Sequence, residues 1–441
     1  MRYIPQAARE REAMLQSAGI PSTQSLFACI PEAVRLKELP DITPALSEPE
    51  IVRHMGALAA QNRPAGLSPC FLGAGVYDHY VPSTIDHLAG RQEFYTAYTP
   101  YQPEISQGTL TAIFEYQTMM RELTGLDVSN ASMYDTGSAA AEAMLMCCGQ
   151  TRRDKIVVST SMHPEVRAVM ATYAQFCGIE LVEAPFGADG KVQLPELAGV
   201  AAVFVQSPNF FGIVEDLTAI SEAAHAAGAL AVASVDPLSL ALLKSPGACG
   251  FDVAIGDTQP LGLKMNFGGP HCGFMVVRDK LMRKMPGRIV GQTTDVDGKR
   301  AFVLTLQARE QHIRREKATS NICSNQALCA LMSTIYLSLM GPGGLQEVAT
   351  QSASKAAYLR DKLVASGKFE AVFEANYFRE FAVRAKANVC ALNSAASEAG
   401  FVGGYDLGRD YPELNNCLLL AVTERRTKAE IDAFAERMVS L

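Results

Sequence analysis

Five short apolar strands, spaced so that a helix fits between most of them, are the feature that most constrains the fold of this chain. Each strand is bounded by turn residues and is rich in β-branched or small apolar side chains. Strands joined by helices must pair in parallel, and helices then cover both faces of the sheet. The segment Gly273–Arg278 adds an antiparallel strand. The sequence therefore predicts an α/β fold with a large doubly wound sheet, whose strands lie at Lys155–Thr160, Ile179–Ala184, Ala201–Gln206, Leu230–Val235 and Asp252–Gly256.

The segments on either side of these strands predict two further parts. Short helices at Arg9–Gly19 and Glu48–Asn62, among turn-rich connections, indicate an N-terminal helical arm. A long apolar helix at Asn325–Leu339, followed by the breaker Gly341-Pro342-Gly343-Gly344, opens a smaller C-terminal α+β domain. The predicted division is an arm at residues 1–70, a large domain at 71–324 and a small domain at 325–441.

Charge and composition exclude several classes of protein. With 441 residues and a formal net charge of -7, the chain has the size of a two-domain enzyme subunit and no basic excess for nucleic acid. No run approaches the ~18 apolar residues of a membrane span, and the N-terminus lacks the apolar core of a secretory signal. The eleven cysteines contain no C-x-x-C spacing, so reduced thiols are expected and a metal site is not. We expect a cytoplasmic protein.

The turn that enters the helix near Ser138 is the first candidate site. Free N–H groups and the positive end of the helix dipole could accept a phosphate there, with the hydroxyls of Thr136 and Ser138 as further donors. An ordinary helix N-cap explains the same pattern.

His163 and Asp236 follow the first and fourth strands, at the strand ends where open α/β sheets bind ligands. In a pyridoxal-phosphate site an imidazole can stack on the ring and a carboxylate can hold the pyridine nitrogen protonated. A helix cap at His163 and a turn at Asp236 are the alternatives. Lys264 is the lysine that follows the fifth strand, and it could form a Schiff base or be a solvated surface residue.

Two other segments carry polar groups that could serve a site. The irregular stretch between Phe71 and Ser106 ends in a tyrosine segment, residues 93–107, whose side chains could line a polar pocket or pack against the body. A basic segment, residues 314–321, could receive an anionic substrate or form a solvated turn. The candidates are Tyr98, Tyr101, Glu104 and Gln107 in the first segment, and Arg314, Arg315, Lys317, Thr319 and Asn321 in the second.

Four long strings in this chain carry a resemblance to a known family. They are YTPYQPEISQGTLTAIFEYQTMMRELTGLDVSNASMYD, GSAAAEAM, GDTQPLGLKMNFGGPHCGFM and RREKATSNICSNQAL, in this order. Together they resemble the P-protein of the glycine cleavage system, glycine decarboxylase, and in particular the first subunit of its two-subunit form. The resemblance covers essentially the whole chain.

The resemblance implies a fold-type I pyridoxal-phosphate architecture and a defined reaction. Glycine condenses with the cofactor, carbon dioxide leaves as electrons flow into the ring, and the aminomethyl group passes to the lipoyl group of the H-protein. In the two-subunit form the catalytic lysine lies on the second (β) subunit, in a motif resembling His-Lys-Thr-Phe, and the pair doubles into a heterotetramer. The resemblance therefore implies no cofactor bound covalently to this chain, and the tyrosine and basic segments would complete the partner's site.

This sequence departs from the catalytic motif around Lys264. If Phe267 matches the aromatic residue of the motif, the lysine position falls on Met265, and Lys264 lies one residue away. One position can turn a side chain to the other side of an extended segment. The sequence favours a subunit without the lysine, and it leaves open a self-sufficient enzyme that uses Lys264 and a purely structural scaffold subunit.

Overall fold

The structure is a computed structural model that describes residues 6–36, 38, 40–64, 66–307, 310–318, 320, 322 and 324–440. Two compact units divide the chain, Met1–Arg63 and Pro64–Leu441. The second unit contains both of the sheets described below. The boundary predicted between residues 324 and 325 stays a prediction.

The first unit contains two helices, α1 (Ala8–Ser17) and α2 (Glu48–Ala59), with 3₁₀ turns at Thr23–Phe27 and Glu32–Val34. The N–H of Ser47 donates to the Glu50 carboxylate at 2.8 Å, so α2 begins at a capping box. None of the residues described in this unit is buried.

The second unit alternates helices and strands as the sequence predicts. Its helices are α3 (Ser83–Ala89), α4 (Gln92–Tyr95), α5 (Gln107–Thr124), α6 (Thr136–Thr151), α7 (Pro164–Cys177), α8 (Leu217–Ala226), α9 (Gln311–Arg314), α10 (Ala327–Ala365), α11 (Val389–Glu398) and α12 (Lys428–Val439). Its strands are β1 (Val128–Ser129), β2 (Lys155–Ser159), β3 (Glu180–Ala184), β4 (Val200–Ser207), β5 (Leu230–Val235), β6 (Val253–Asp257), β7 (Gly273–Val277), β8 (Ile289–Thr294), β9 (Arg300–Thr305), β10 (Phe369–Ala371), β11 (Glu380–Ala385), β12 (Tyr405–Asp406) and β13 (Cys417–Ala421).

The large sheet has the strand order β1-β7-β6-β5-β4-β2-β3. Strands β3, β2, β4, β5 and β6 are parallel, and β7 pairs antiparallel with β6. The five predicted strands and the antiparallel strand are therefore confirmed, each within one residue of its observed bounds. Strands β8 and β9 form a separate hairpin.

Alternate side chains of the parallel strands supply two hydrophobic layers, one on each face of the sheet. Ile156 packs in a cluster with Met144 of α6. The next residue, Val157, packs in the opposite cluster with Met120 of α5 and Ile220 of α8. Because consecutive strand residues point to opposite faces, this alternation is what a doubly wound sheet requires.

Helix α10 links the large sheet to a second, antiparallel sheet of order β10-β11-β13-β12. The breaker is confirmed, since Gly341 has a non-helical backbone with φ 60° and ψ -177°. The helix resumes immediately at Pro342, because proline has a helical φ and lacks only an N–H that the first turn does not use.

By length and composition α10 could cross a membrane. Some of its side chains on both sides of the break are nevertheless buried in the protein, including Tyr336 and Leu359. The core helix of a soluble protein meets the same criteria, so one such helix is weak evidence for a membrane span.

Candidate functional site

A cavity of about 370 Å³ lies at the carboxyl ends of the parallel strands. Thr136 of α6, His163 after β2 and Asp236 after β5 line it, as do Gly268–His271 in the loop that precedes β7. The sheet thus brings three of the four predicted cofactor candidates to one cavity, at the edge where open α/β sheets bind ligands. The fourth candidate, Ser138, is not among the lining residues.

A carboxylate already occupies the start of α6. Asp135 is the N-cap, and its Oδ1 accepts a hydrogen bond from the N–H of Ser138 at 2.7 Å. Asp135 also lines the cavity, next to Thr136. Since the helix dipole favours one anion at this end, the Asp135 carboxylate competes with any phosphate group there.

Both carboxylate oxygens of Asp236 have partners within the chain. Oδ1 accepts a hydrogen bond from the N–H of Leu238 at 3.0 Å, which makes a local turn. Oδ2 forms an ion pair with Nη2 of Arg379 at 2.5 Å. The carboxylate that could hold a pyridine nitrogen protonated is therefore paired with a protein guanidinium.

Arg379 is the centre of a buried polar network that sequence reasoning missed. Its guanidinium lies 3.6 Å from the centroid of the Tyr77 ring, and its Nη1 donates to Nε2 of His79. Nδ1 of His79 lies 2.5 Å from the carboxylate of Glu424, so a tautomer that accepts the Arg379 hydrogen bond on Nε2 donates from Nδ1 to Glu424. Arg379 lies in a stretch of mixed charged and apolar residues far from the candidate motifs, and no local pattern marks it.

Glu380, the next residue, is fully buried at the wall of the same cavity. Its carboxylate accepts the Ala74 N–H at 2.6 Å and the Tyr77 hydroxyl at 2.8 Å. Burial raises the pKa of Glu380 to about 7, against the opposing effect of these hydrogen bonds. Gly73 makes room for it, since a Cβ there would lie 2.1 Å from the carboxylate.

His163 uses both ring nitrogens inside the protein. Nδ1 accepts the N–H of Glu165 at 3.2 Å, which caps α7, and Nε2 lies 2.9 Å from the carbonyl oxygen of Ala74. The Nε2–H must therefore donate to that carbonyl. The ring also makes an edge contact with Phe210, with 4.9 Å between the centroids.

Lys264 lies outside the cavity. Its side chain is half exposed, and Nζ forms an ion pair with Asp86 of α3 at 2.5 Å. None of the described residues that line the cavity is a lysine. The described lining residues therefore offer no amine for a Schiff base. The Asp135 carboxylate occupies the helix end where a phosphate could bind, and Asp236 is paired with Arg379. This chain's own residues do not fit pyridoxal phosphate held as a Schiff base.

The tyrosine segment borders a second cavity, of about 320 Å³. Tyr95, Tyr98 and Thr99 line it together with Arg288, which precedes β8. Tyr98 is 81% exposed and therefore available to a partner molecule. Tyr101 is 44% exposed, and its hydroxyl accepts a hydrogen bond from Nη2 of Arg288 at 2.9 Å.

The other two candidates of the tyrosine segment lie in different surroundings. Glu104 is exposed. Gln107 begins α5 and holds β9 through both ends of its amide: Nε2 donates to the Phe302 carbonyl at 2.9 Å and Oε1 accepts the Phe302 N–H at 2.9 Å. Gln107 therefore positions the segment against the hairpin.

The basic segment begins in α9 and a following 3₁₀ turn, where Arg314, Arg315 and Lys317 are exposed. Arg314 also borders a third cavity, of about 420 Å³, with Glu142 of α6. Burial raises the pKa of Glu142 to about 7. Thr319 and Asn321 lie outside the described residues.

Comparison with known proteins gives a consistent result over the whole chain. A model of the family "Glycine cleavage system P-protein" matches residues 1–438. The chain is 51% identical to the "Probable glycine dehydrogenase (decarboxylating) subunit 1" of Anoxybacillus flavithermus, over 99% of this chain and 98% of that protein.

Solved structures agree with this match. A crystal structure of glycine decarboxylase (P-protein) of the glycine cleavage system, in an inhibitor-bound form, is similar with a TM-score of 0.93 and 45% identity, over 100% of both chains. A sphingosine-1-phosphate lyase of Burkholderia pseudomallei shares the fold alone, with a TM-score of 0.66 and 14% identity, over 94% of this chain and 93% of that one.

These comparisons confirm two predictions made from the sequence. The fold is fold type I of the pyridoxal-phosphate-dependent enzymes. The resemblance to the P-protein holds over the whole chain, in the family model and in a relative of about the same length. The chain therefore belongs to the glycine cleavage system P-protein family.

Proposed function

We propose that this chain is the subunit without the catalytic lysine of a two-subunit glycine decarboxylase (glycine dehydrogenase, aminomethyl-transferring). The observation that carries the proposal is the cavity at the strand ends, where no lysine is among the described lining residues and Asp236 is paired with Arg379. A chain of this family that lacks the amine needs a partner that supplies it. The partner is a second P-protein subunit with the lysine, and an αβ pair doubled into a cytoplasmic heterotetramer is the expected assembly.

The reaction proposed for the complex is decarboxylation of glycine with transfer of the aminomethyl group to the lipoyl group of the H-protein. Pyridoxal phosphate, bound to the partner subunit's lysine, would act as the electron sink for loss of carbon dioxide. This chain's contribution is to bind and orient the reactants at the shared site.

The tyrosine segment is the part of this chain proposed to reach that site. Tyr98 is exposed at the mouth of the second cavity, and Glu104 is exposed further along. The hydroxyl and carboxylate are groups that can orient a polar substrate or an amide of the lipoyl arm by hydrogen bonds. Tyr101 and Gln107 attach the segment to the body of the protein by hydrogen bonds to Arg288 and to β9.

The basic segment is proposed as a second contact surface. Arg314, Arg315 and Lys317 are exposed on consecutive turns, and guanidinium and ammonium groups bind carboxylates. With Thr319 and Asn321 they would receive glycine's carboxylate or an acidic part of the H-protein.

The test uses the complex reconstituted from both subunits. Tyr98→Phe removes a hydroxyl and Glu104→Gln removes a negative charge, and both side chains are exposed, so the fold should be unaffected. We expect turnover of glycine with lipoylated H-protein to fall by about tenfold or more, the range typical of a lost positioning or proton-transfer group.

Tyr358→Phe is the matched control, because Tyr358 of α10 donates its hydroxyl to Asp432 of α12. It should leave turnover unchanged. If Tyr98→Phe and Glu104→Gln also leave turnover unchanged, this chain is a structural scaffold and the proposal of a shared site is wrong.

A further inference from the structure

Arg288 is a buried arginine that contacts both the tyrosine segment and the residue before α9. It is 4% exposed and immediately precedes β8. Its Nη2 donates to the Tyr101 hydroxyl at 2.9 Å, its Nη1 lies 3.4 Å from the Thr99 hydroxyl, and its guanidinium carbon is 5.2 Å from the centroid of the Tyr101 ring. All of these contacts are with the tyrosine segment.

The guanidinium also lies near the N-terminus of α9. Nε of Arg288 lies 3.8 Å from Oε2 of Glu310, the N-cap of α9. The same oxygen lies 3.5 Å from Nδ1 of His312, whose ring makes an edge contact with Tyr101 at 6.2 Å between centroids. Arg288, Glu310, His312 and Tyr101 therefore form one cluster behind the exposed surface.

Within this cluster, Tyr101 provides the short hydrogen bond that Arg288 makes. Within the described residues, Nε of Arg288 and Oε1 of Glu310 have no hydrogen-bond partner, so the ion pair is close but not hydrogen-bonded. The short hydrogen bond from Arg288 is the one to the Tyr101 hydroxyl. Breaking this hydrogen bond is costly, because a second buried N–H group of the guanidinium would then have no acceptor.

We propose that Arg288 is a positioning residue for the acceptor side of the reaction. It sets the orientation of Tyr101 and the wall of the second cavity, which it lines beside Tyr98 and Thr99, and so shapes the surface that receives the lipoyl arm of the H-protein. This inference rests on the proposed function. It predicts that Arg288 acts on recognition of the H-protein and has little effect on recognition of glycine.

The experiment measures steady-state release of carbon dioxide by the reconstituted complex, with glycine and lipoylated H-protein varied separately. Arg288→Lys keeps the charge but cannot span Tyr101 and Glu310 with one ammonium. Tyr101→Phe removes only the accepting hydroxyl. We expect either variant to raise the KM for H-protein by about fivefold or more, with the KM for glycine within about twofold of wild type.

The double variant Arg288→Lys/Tyr101→Phe should be no worse than Arg288→Lys alone, because both changes break the same contact. Arg437→Lys is the control for the lysine substitution, since Arg437 of α12 makes comparable contacts with Ala395 and Glu398. Unchanged KM for H-protein, an equal rise in the KM for glycine, or additive effects would each overturn the inference.

Two further comparisons keep the result interpretable. If Arg288→Lys does not fold, Tyr101→Phe decides alone, because Tyr101 is half exposed. If Tyr98→Phe lowers turnover while Tyr101→Phe and Arg288→Lys behave as wild type, only the positioning role is refuted. If all three and Glu104→Gln behave as wild type, the shared site of the proposed function fails as well.

Discussion

At the scale of single residues, Glu380 shows how burial sets a measurable property of this subunit. Its carboxylate is enclosed by Ala74 and Tyr77, and burial raises its pKa from the ordinary 4.5 to about 7. A group whose pKa is raised on folding binds its proton more tightly in the folded state. Its contribution to stability is therefore complete below pH ~4.5 and is lost as the pH rises through about 7.

The variant Glu380→Gln should remove this pH dependence. Glutamine keeps an acceptor oxygen for the Ala74 N–H and carries no charge at any pH. From pH 5 to pH 8 we expect the free energy of unfolding of wild type to fall, relative to the variant, by on the order of 2 kcal/mol. Urea unfolding at the two pH values measures the difference.

Glu370→Gln on β10 is the control, because Glu370 is exposed. It should shift the unfolding free energy equally at both pH values. An equal shift for Glu380→Gln would show that the buried carboxyl does not titrate in this range.

Residue identities at the strand ends were predictable, but their partners were not. His163 and Asp236 lie at the cavity as the strand order requires. The partner of Asp236 is Arg379, 143 positions further along the chain, and only the folded structure brings the two together. Arg288 was missed for the same reason, since its contacts with Tyr101 and Glu310 depend on the hairpin β8–β9.

At the scale of elements, α10 is interrupted at Gly341 and continues as a helix directly after it. Gly341 has φ 60° and ψ -177°, a conformation that is strained for residues with a Cβ. A Cβ at Gly341 would meet no other atom within 4 Å. Any cost of a substitution there is therefore a cost of backbone conformation.

Gly341→Ala should lower the free energy of unfolding by about 1–3 kcal/mol. Gly343→Ala is the matched control two residues later, where the position is exposed, φ is not positive and a Cβ also meets no atom. That change should be neutral or stabilising by up to about 1 kcal/mol. Thermal unfolding of both variants measures the two changes in stability. Equal changes would show that the backbone at Gly341 is not a special source of strain.

Strands could be predicted from the local sequence wherever turn residues bound an apolar run. Strands β2 to β7 were predicted within one residue because each is short and almost wholly buried or flanked by glycine and proline. The pairing of α5 with the hairpin was not predictable. It depends on amide contacts from Gln107 and Gln117 to backbone groups of β9 and β8.

At the scale of the whole molecule, the chain has the fold of a pyridoxal-phosphate enzyme and a site that does not suit a Schiff base. Asp135 occupies the start of α6, Asp236 is paired with Arg379, and Lys264 is half exposed and bound to Asp86. These features agree with the proposal that, in the two-subunit form, the Schiff-base lysine lies on the other subunit. Under that proposal, this chain supplies binding surfaces and the partner subunit supplies the reactive amine.

The most direct test of this division is reduction with borohydride. The purified chain, alone and in complex with the second subunit, would be incubated with pyridoxal phosphate, reduced, digested and mapped by mass spectrometry. We expect a stoichiometric pyridoxyl adduct on a lysine of the partner subunit and none on this chain. A stoichiometric adduct at Lys264 in the chain alone, accompanied by glycine decarboxylation, would contradict the account.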